Sequence, residues 1–473
     1  MRWLVYSKSF CDMMAAAKKV LALDYGAGSM RSIEGIFDGS RLGYREMLRC
    51  KNELVRVKDN LYWDIGVMHR FAVESIGRTS ADSMGIDTWG ADFGMLDGHG
   101  RLLFLPRTYR DPQVQEFAEE VFSVISGYEL FESNGTVIED ICPLVHLCYW
   151  KKYAPYWFEK TRTIQLMANL ICYLLTGEVT FDNTLASPSG MYSLKWDDWN
   201  MELMEHLGLP NVLPQTTERN DILGVAGIPE GKRIPVMRVC GHDTSSALMA
   251  VPAHCVERAL YVSTGSWVMT GCFLQEPVIT REAFEAGLSN ENGFDGEINF
   301  LKYSNGLFIV QECAREWKTG GWEMDYGFLE KGAKEAEYGG SIDPDSPEFT
   351  KPGKMCQKIL GYLERTGQPQ PKGKAEIYAA VLNGIANSVA KTMRDIIRIL
   401  GKTFDSIYVL GGGAKSAYLC NAIKRKTGLK LYAGPVEATA MGNICTQLIR
   451  QKELLNRSEA ANLLRGSTKI REF

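Results

Sequence analysis

The chain has 473 residues, of which 45% are hydrophobic and 23% charged; this composition is typical of globular proteins, and the length predicts two large domains with separate cores. Its formal net charge of −4 and its pI near 6.0 exclude bulk electrostatic attraction to nucleic acid or to an anionic membrane. We therefore expect small-molecule ligands, and a chain that acts as a monomer or a homodimer.

The cysteines and the N-terminal residues indicate in which cellular compartment the protein is expected. The cysteines are scattered, and the closest pair, Cys142 and Cys148, is separated by five residues rather than by the two of a zinc knuckle. The first 19 residues lack the apolar run of a secretory signal, and no segment is long enough to span a bilayer. The sequence predicts reduced cysteines and a cytoplasmic protein.

The first predicted element is a strand at Lys19–Asp24, an apolar run that ends in an acid. The turn "YGAGS" follows it, and "IEGIFDG" continues as a second strand. A similar pattern recurs at 259–271 in "ALYVSTGSWVMTG", which places a glycine hairpin near the start of each half. The recurrence predicts two related domains, 1–250 and 251–473.

Three more elements are predicted in the second half. Residues 339–354, "GGSIDPDSPEFTKPGK", have the proline, glycine and aspartate density of a long surface loop. Between Ala375 and Leu400 the apolar residues fall on one helical face, which predicts a core helix. The segment 406–423, "SIYVLGGGAKSAYLCNAI", predicts a buried strand, a triple-glycine turn and a helix.

Glycine turns at Gly26–Arg31, Thr264–Ser266 and Gly411–Gly413 suit a polyphosphate ligand. Where such a turn opens onto a helix, backbone N–H groups reach phosphate oxygens without side-chain obstruction. Two common nucleotide-binding motifs are not matched. "GAGSMR" has Arg31 in place of the third glycine of the dinucleotide fingerprint, and Gly401–Thr403 resembles the end of a Walker A loop, but Ile396 stands where that loop requires its first glycine.

The stretch "VCGHDTSSALMA" at 239–250 places His242 beside Asp243, between a glycine and a run of small residues. An Asp at this position is typical of a helix N-cap, whose carboxylate accepts free backbone N–H groups. The same carboxylate could accept a proton in catalysis, and His242 is equally typical of a buried core histidine. The residues by themselves leave these interpretations open.

Seven segments, in chain order, resemble segments of the FGGY carbohydrate kinase family, and within it the rhamnulokinase branch. They are "LALDYGAGSMR", "GIDTWGADFGMLD", "GHDTSSA", "STGSWVMTG", "IDPDSPEFTKPGKM", "VLGGGAKSAYLCNAI" and "GPVEATAMGN". The resemblance implies an α/β fold of two actin-like, ribonuclease H-like domains that close on a cleft, with sugar on the N-terminal side and ATP on the C-terminal side. It implies an ATP- and Mg²⁺-dependent kinase that phosphorylates the 1-hydroxyl of a ketose, with L-rhamnulose as the best single substrate.

The resemblance also implies roles for individual residues. Asp243 matches the catalytic base, and Asp24 matches an acid that helps to hold magnesium. Sugar-contacting positions match Gly90, His242, Asp243 and Thr244. ATP-contacting positions match Ala27, Gly28, Ser29, Met30, Arg31, Ser266, Gln311 and Gly412.

Two segments depart from the family pattern at the expected sugar pocket. Tyr303 in "FLKYSNGLFIVQ" stands where rhamnulokinases usually have an asparagine that contacts sugar hydroxyls, and residues 135–144, "GTVIEDICPL", replace a more polar sequence. The phenol changes the donors and acceptors that face the sugar. A different deoxyketose or a ketopentose, such as L-fuculose or xylulose, is therefore an alternative substrate.

Plain structural interpretations stand beside these roles. Asp24 is also typical of a turn that follows a strand, Arg31 of a solvated surface charge, and Trp89 and Phe93 of strand core. Two other function classes are less well supported: a conformational protein of the actin or Hsp70 type needs no base beside a sugar hydroxyl, and a non-catalytic sugar sensor should have lost the base or a phosphate loop. The presence of "GHDT" and of the glycine turns argues against both.

Overall fold

The computed structural model describes residues 17–216, 220–229 and 231–473. The β-strands of this part of the chain are Lys18–Tyr25 (β1), Ser29–Phe37 (β2), Leu42–Lys51 (β3), Leu54–Val57 (β4), Asn60–Trp63 (β5), Ser83–Thr88 (β6), Phe93–Leu96 (β7), Thr163–Leu166 (β8), Tyr192–Ser193 (β9), Asp198–Trp199 (β10), Ile222–Gly227 (β11), Arg233–Met237 (β12), Ala259–Thr264 (β13), Trp267–Leu274 (β14), Ser289–Asn292 (β15), Ile298–Asn305 (β16), Ser406–Gly411 (β17), Lys430–Ala433 (β18) and Arg471–Glu472 (β19).

The α-helices of the same part of the chain are Ile65–Arg78 (α1), Pro112–Val124 (α2), Gly127–Asn134 (α3), Pro143–Tyr153 (α4), Pro155–Lys160 (α5), Met167–Thr176 (α6), Asn183–Ala186 (α7), Met201–His206 (α8), Asp243–Met249 (α9), Arg281–Glu285 (α10), Phe308–Thr319 (α11), Tyr326–Ala336 (α12), Met355–Arg365 (α13), Lys374–Leu400 (α14), Ala417–Thr427 (α15), Ala438–Arg450 (α16) and Arg457–Ser467 (α17). None of these helices, within the described ranges, is long and apolar enough to cross a membrane.

The two large mixed β-sheets have the same topology in their central strands. The first has the order β11-β12-β6-β1-β2-β3 and the second the order β15-β16-β14-β13-β17-β18-β19. In the first sheet β1 is antiparallel to β2 and parallel to β6; in the second sheet β13 is antiparallel to β14 and parallel to β17. The expectation of two related α/β units is confirmed. The division of the chain at residue 250 stays a prediction.

A helix from each half meets the other where the halves join. Helix α9 follows the last parallel strand of the first sheet, and α16 follows the equivalent strand of the second. They approach so closely that a Cβ on Gly442 would lie 1.7 Å from the carbonyl oxygen of Ser246. Buried residues from both halves, including Leu248 and Met441, form one hydrophobic cluster here. This contact fixes the start of α9 relative to both sheets.

Most predicted elements are confirmed, with two corrections. The strand at Lys19–Asp24 corresponds to β1, and the predicted core helix to α14. Residues 339–354 are mostly irregular but not a free surface loop, because Phe349 is fully buried and Asp345 accepts hydrogen bonds from β16. The turns at 26–31 and 264–266 join antiparallel strands, which confirms the predicted glycine hairpins, and so neither turn opens onto a helix as the phosphate-binding interpretation assumed. They therefore lack the helix dipole, and only the turn at 411–413 leads into helical structure.

The first 16 residues, where the sequence predicts no secretory signal, lie outside the described part of the chain.

Candidate active site

Asp24 is a buried carboxylate at the end of β1. Its side chain is 3% exposed, and its Oδ2 accepts a hydrogen bond from Nη2 of Arg31 at 2.5 Å. Burial raises the pKa of Asp24 to about 6 against the opposing effect of Arg31, and the negative charges of Asp243 and Glu437 add to the rise. Arg31 also pairs with Glu437. Two carboxylates therefore bind its guanidinium group, and Arg31 is not a solvated surface charge.

Asp87 lies beside Asp24 in the parallel register of β1 and β6. It is fully buried, and its Oδ2 accepts a hydrogen bond from Nδ2 of Asn443 at 2.6 Å. Its Oδ1 is buried without a hydrogen-bond partner among the described residues. Burial, and then the charges of Asp24 and Asp243, raise the pKa of Asp87 well above its usual range. Three carboxylates therefore share one electrostatic environment.

Asp243 is the first residue of α9, and His242 is the N-cap. The interpretation of Asp243 as a helix cap is therefore wrong: a cap carboxylate lies one position earlier and bends back to the N–H groups of the first turn. The Asp243 side chain keeps 30% of its surface exposed, and its Oδ1 lies 3.5 Å from Oγ1 of the buried Thr244. Burial raises the pKa of Asp243, while His242 acts in the opposite direction.

His242 lies between two carboxylates. Its Nε2 is 3.5 Å from Oδ1 of Asp243, and its Nδ1 is 3.5 Å from Oε2 of Glu291. Glu291 is 1% exposed, and its Oε1 accepts a hydrogen bond from the hydroxyl of Tyr303 at 2.8 Å. Burial opposes protonation of His242, but the carboxylates of Glu291, Asp243 and Asp182 together raise its pKa.

Gly90 lies against the imidazole of His242. A Cβ on Gly90 would stand 2.6 Å from Nε2 of His242, so any larger residue would displace the ring. The indoles of Trp63 and Trp89 both donate to Oδ2 of Asp92, at 2.7 and 3.0 Å. Burial raises the pKa of Asp92 to about 7. The structure thus brings Gly90, His242, Asp243 and Thr244 together. Two members of the buried cluster of indoles and carboxylate, Trp89 and Asp92, flank Gly90 in the sequence.

The predicted phosphate residues of the first half form the β1–β2 turn. The turn closes with a hydrogen bond from the N–H of Gly26 to the carbonyl of Ser29 at 3.0 Å. Gly28 is exposed, and Ala27 and Ser29 are half-buried. Met30 is fully buried in the hydrophobic core, so only its backbone is available to a ligand.

Two of the predicted ATP residues of the second half, Ser266 and Gly412, follow the carboxyl ends of the central strands β13 and β17. The carbonyl of Ser266 accepts hydrogen bonds from the N–H groups of Gly306 and Phe308, at the start of the helix that carries Gln311. Ser266, Gln311 and Gly412 are exposed. A Cβ on Gly411, whose φ is +75°, would lie 2.4 Å from the carbonyl oxygen of Thr264. Only glycine therefore lets the third turn approach the second.

The carboxylates of Asp24, Asp87 and Asp243 suit magnesium only together with other ligands. Among the described residues there is no group of three histidine, cysteine, aspartate or glutamate side chains that could hold a metal ion. Mg²⁺ commonly takes one or two protein carboxylates and completes its shell with water and phosphate oxygens. Asp24 and the unpaired Oδ1 of Asp87 fit that arrangement.

Comparison with known proteins identifies the family. Residues 66–250 match the N-terminal domain of the FGGY family of carbohydrate kinases, and residues 260–450 match its C-terminal domain. The chain belongs to this family. This kinase is 30% identical to the rhamnulokinase of Oceanobacillus iheyensis over 459 residues, 94% of this chain and 96% of the relative. It is 30% identical to the rhamnulokinase of Bacteroides thetaiotaomicron, over 96% of this chain and 95% of the relative.

Solved structures show the same fold. The glycerol kinase of Plasmodium falciparum with ADP superposes on this kinase with a TM-score of 0.76 at 15% identity, covering 96% of this chain and 94% of the other. The xylulose kinase of Lactobacillus acidophilus gives a TM-score of 0.75 at 14% identity, covering 96% and 93%. The expected architecture of two actin-like α/β domains is confirmed, as is the assignment to the ATP-dependent sugar kinases, which generally use Mg²⁺.

Two buried acids of this site were missed in the sequence. Asp87 ends an apolar strand in "GIDTW", the same signal that marked Asp24 in "LALDY", and it could have been found in the same way. Glu291 lies in the polar run "SNEN" of the short strand β15. No local pattern distinguishes it, because its significance comes from Tyr303 and His242, which other elements supply.

Proposed function

We propose that this kinase transfers the γ-phosphoryl group of ATP to the 1-hydroxyl of a ketose, and that L-rhamnulose is the best single candidate. The observation that carries the proposal is the partly exposed carboxylate of Asp243, at the start of α9 and within the electrostatic field of Asp24 and Asp87. The identity of about 30% to two rhamnulokinases supports the substrate.

In the proposed reaction Asp243 is the general base. A carboxylate within hydrogen-bond reach of the attacking hydroxyl accepts its proton as the bond to phosphorus forms. His242 and Thr244 flank Asp243, and Gly90 lets the His242 ring lie against the backbone. These four residues and Tyr303 are the proposed sugar contacts. The raised pKa of Asp243 brings the carboxylate closer to the basicity that proton transfer at neutral pH requires.

The ATP contacts are proposed on both sides of the cleft. Residues 27–31 offer the backbone of the β1–β2 turn, while Ser266, Gln311 and Gly412 offer exposed positions after β13, in α11 and after β17. When bound, Mg²⁺ would neutralise charge on the phosphate oxygens, and Asp24 with Asp87 are the residues that would hold it. Arg31 stands next to Asp24 and would exchange its carboxylate partners for phosphate.

The identity of the ketose depends on the wall that departs from the family. Oγ1 of Thr136 donates to the carbonyl of Asn290, and the N–H of Val137 donates to Oγ of Ser289. The segment 135–144 therefore lies along β15, the strand whose Glu291 binds Tyr303. Asn305 does not compensate for Tyr303, because its side chain donates to the carbonyl of Pro344. L-fuculose and xylulose are accordingly the alternative substrates.

Exchange of Tyr303 for asparagine should move the substrate preference toward L-rhamnulose. An unpaired hydroxyl in a closed site costs on the order of 1 to 3 kcal/mol, which is about ten- to a hundredfold in specificity. The measurement is the ratio of kcat/KM for L-rhamnulose to that for L-fuculose and for xylulose in Tyr303→Asn. A general loss of activity cancels in this ratio. A wild type that already strongly prefers L-rhamnulose, with a variant that loses the preference, would contradict the assigned effect of Tyr303.

The site of phosphorylation is testable on the product. We expect ³¹P and ¹H NMR of the reaction mixture to show phosphate on O1 of the ketose, together with stoichiometric ADP. A non-catalytic sugar sensor on the same scaffold is the second candidate, and it would bind ketose without forming ADP. Phosphate on another hydroxyl would refute the proposed position of attack.

Closure of the cleft is proposed to accompany binding of both substrates. The proposed domains, 1–250 and 251–473, meet through α9 and α16, and closure would exclude water from the γ-phosphate. X-ray scattering should give a smaller radius of gyration with ketose and a non-hydrolysable ATP analogue than without ligands. Each ligand alone is the control, and an unchanged radius with both would count against closure.

A further inference from the structure

We propose that Glu291, held by Tyr303, is a positioning residue that accepts a hydrogen bond from Nδ1–H of His242 and favours the doubly protonated ring, with its Nε2–H directed at Asp243 and the sugar oxygen. The inference rests on the proposed function for its catalytic consequence only. Its structural part concerns a row of four side chains, those of Tyr303, Glu291, His242 and Asp243, from three separate segments, and it is testable without substrate.

The carboxylate of Glu291 contacts two side chains, one through each oxygen. Oε1 accepts the hydroxyl of Tyr303 at 2.8 Å, and Oε2 lies 3.5 Å from Nδ1 of His242. Neither Oε2 nor Nδ1 has another hydrogen-bond partner among the described residues. Glu291 and His242 are 1% and 5% exposed, respectively, so water does not compete freely for these atoms. A buried unpaired donor and a buried unpaired acceptor that face each other lower the free energy by sharing a proton.

The position of His242 is also fixed from the other sides. Its backbone N–H donates to Oγ1 of Thr184 at 3.0 Å, and Gly90 packs against its ring. In this arrangement Nδ1 of the ring faces Glu291 and Nε2 faces Asp243.

Charged groups reach His242 from three elements. Glu291 comes from β15, Asp243 from α9, and Asp182 from the segment that precedes α7; all three favour the protonated ring, and burial disfavours it. Arg31 acts on Asp243 instead, where it lowers the pKa together with His242. Removal of the Glu291 charge should let burial dominate, so that His242 loses its proton at lower pH.

The catalytic consequence follows from the second proton on His242. A doubly protonated ring presents an Nε2–H donor, whereas a neutral ring with its proton on Nδ1 presents an acceptor at Nε2. A donor at this position orients the carboxylate of Asp243 and can hold a sugar oxygen. Because the pKa of His242 is raised, activity that depends on the charged ring should persist to higher pH and fall as pH rises through that pKa.

The test uses the full-length protein and single-residue variants of it. In Glu291→Gln the ¹³Cε1–¹H signal of His242, assigned with His242→Gln, should titrate at lower pH than in wild type. We expect kcat/KM at neutral pH to fall about tenfold, which is the usual effect of losing a hydrogen bond to a charged group, and the basic limb of the pH–rate profile to move to lower pH. Tyr303→Phe should shift both readouts in the same direction by less.

Tyr261→Phe is the matched control. Its hydroxyl is also buried near Glu291 but has no hydrogen-bond partner among the described residues, so neither readout should move. Glu291→Asp keeps the charge and should titrate between wild type and Glu291→Gln. An unchanged His242 titration in Glu291→Gln would overturn the inference and leave the kinase assignment standing. If Glu291→Gln does not fold, Tyr303→Phe decides: an unchanged His242 titration in that variant would overturn the inference, whatever the effect on the KM for sugar.

Discussion

Asp243→Asn should lower kcat by about 100- to 10,000-fold, the range that follows from loss of a positioned general base. The amide has nearly the shape of the carboxylate, so the contacts to Thr244 and His242 remain. It cannot accept the proton of the attacking hydroxyl. Steady-state turnover at saturating ATP and ketose measures the effect, and nucleotide binding measured by calorimetry should stay close to that of wild type.

The same substitution should leave the free energy of unfolding nearly unchanged or raise it slightly. An acidic residue in the first helical turn contributes about 0.3–1 kcal/mol, but burial raises the pKa of Asp243 in the folded chain. Wild type therefore loses stability as pH rises from the ordinary aspartate range through the raised pKa, and Asp243→Asn removes that loss. Asp405→Asn, which alters an exposed pair with Arg258, is the control. Near-normal turnover in Asp243→Asn would remove Asp243 from the mechanism.

Gly442→Ala should impair both stability and turnover, because it separates the two helices that join the halves. The new Cβ would lie 1.7 Å from the backbone oxygen of Ser246, so a helix must move instead of a flexible side chain. Overpacking of this kind costs about 3 kcal/mol. Ser246 is three residues from Asp243, and a displacement of about 1 Å at a catalytic group costs about 100-fold in rate.

Gly361→Ala provides the matched control for that experiment. Gly361 also lies inside a helix, α13, but nothing stands within 4 Å of the position that a Cβ would take. This substitution should raise the free energy of unfolding by about 0.5–1 kcal/mol and leave turnover unchanged. Denaturant unfolding and steady-state kinetics measure both variants. Equal stability of the two would mean that α9 and α16 are not in rigid contact.

The local sequence predicts much of this fold because its signals coincide. The apolar run that ends in Asp24, the apolar face of α14, and the strand, glycine turn and helix at 406–427 each form as expected. In each case hydrophobic periodicity and turn residues favour the same structure. The residues around Asp243 illustrate the limit of such predictions. The interpretation as a cap starts the helix one residue after Asp243, whereas in the structure Asp243 is the first helical residue. Helix boundaries are the least certain part of a prediction from sequence.

Other parts of the site depend on contacts between distant segments. The family resemblance indicated His242 and Tyr303 as separate sugar contacts, but Glu291, which lies between them, has no recognisable local signature. Likewise Arg31 stays a predicted phosphate contact, but its pair with Glu437 at the start of α16 has no local signal in the sequence. Such pairs arise from the way the two sheets meet, and a single sequence contains no direct record of that arrangement.

The most direct measurement of the central claim is ADP formation by the wild-type protein with Mg²⁺ and ATP, with and without a panel of ketoses. We predict that ADP forms far faster with at least one ketose than without sugar, that L-rhamnulose gives the highest kcat/KM, and that Asp243→Asn abolishes most of the sugar-dependent rate. Equal ADP formation with and without every ketose, in protein that binds ATP, would contradict the assignment of this cleft to ketose phosphorylation.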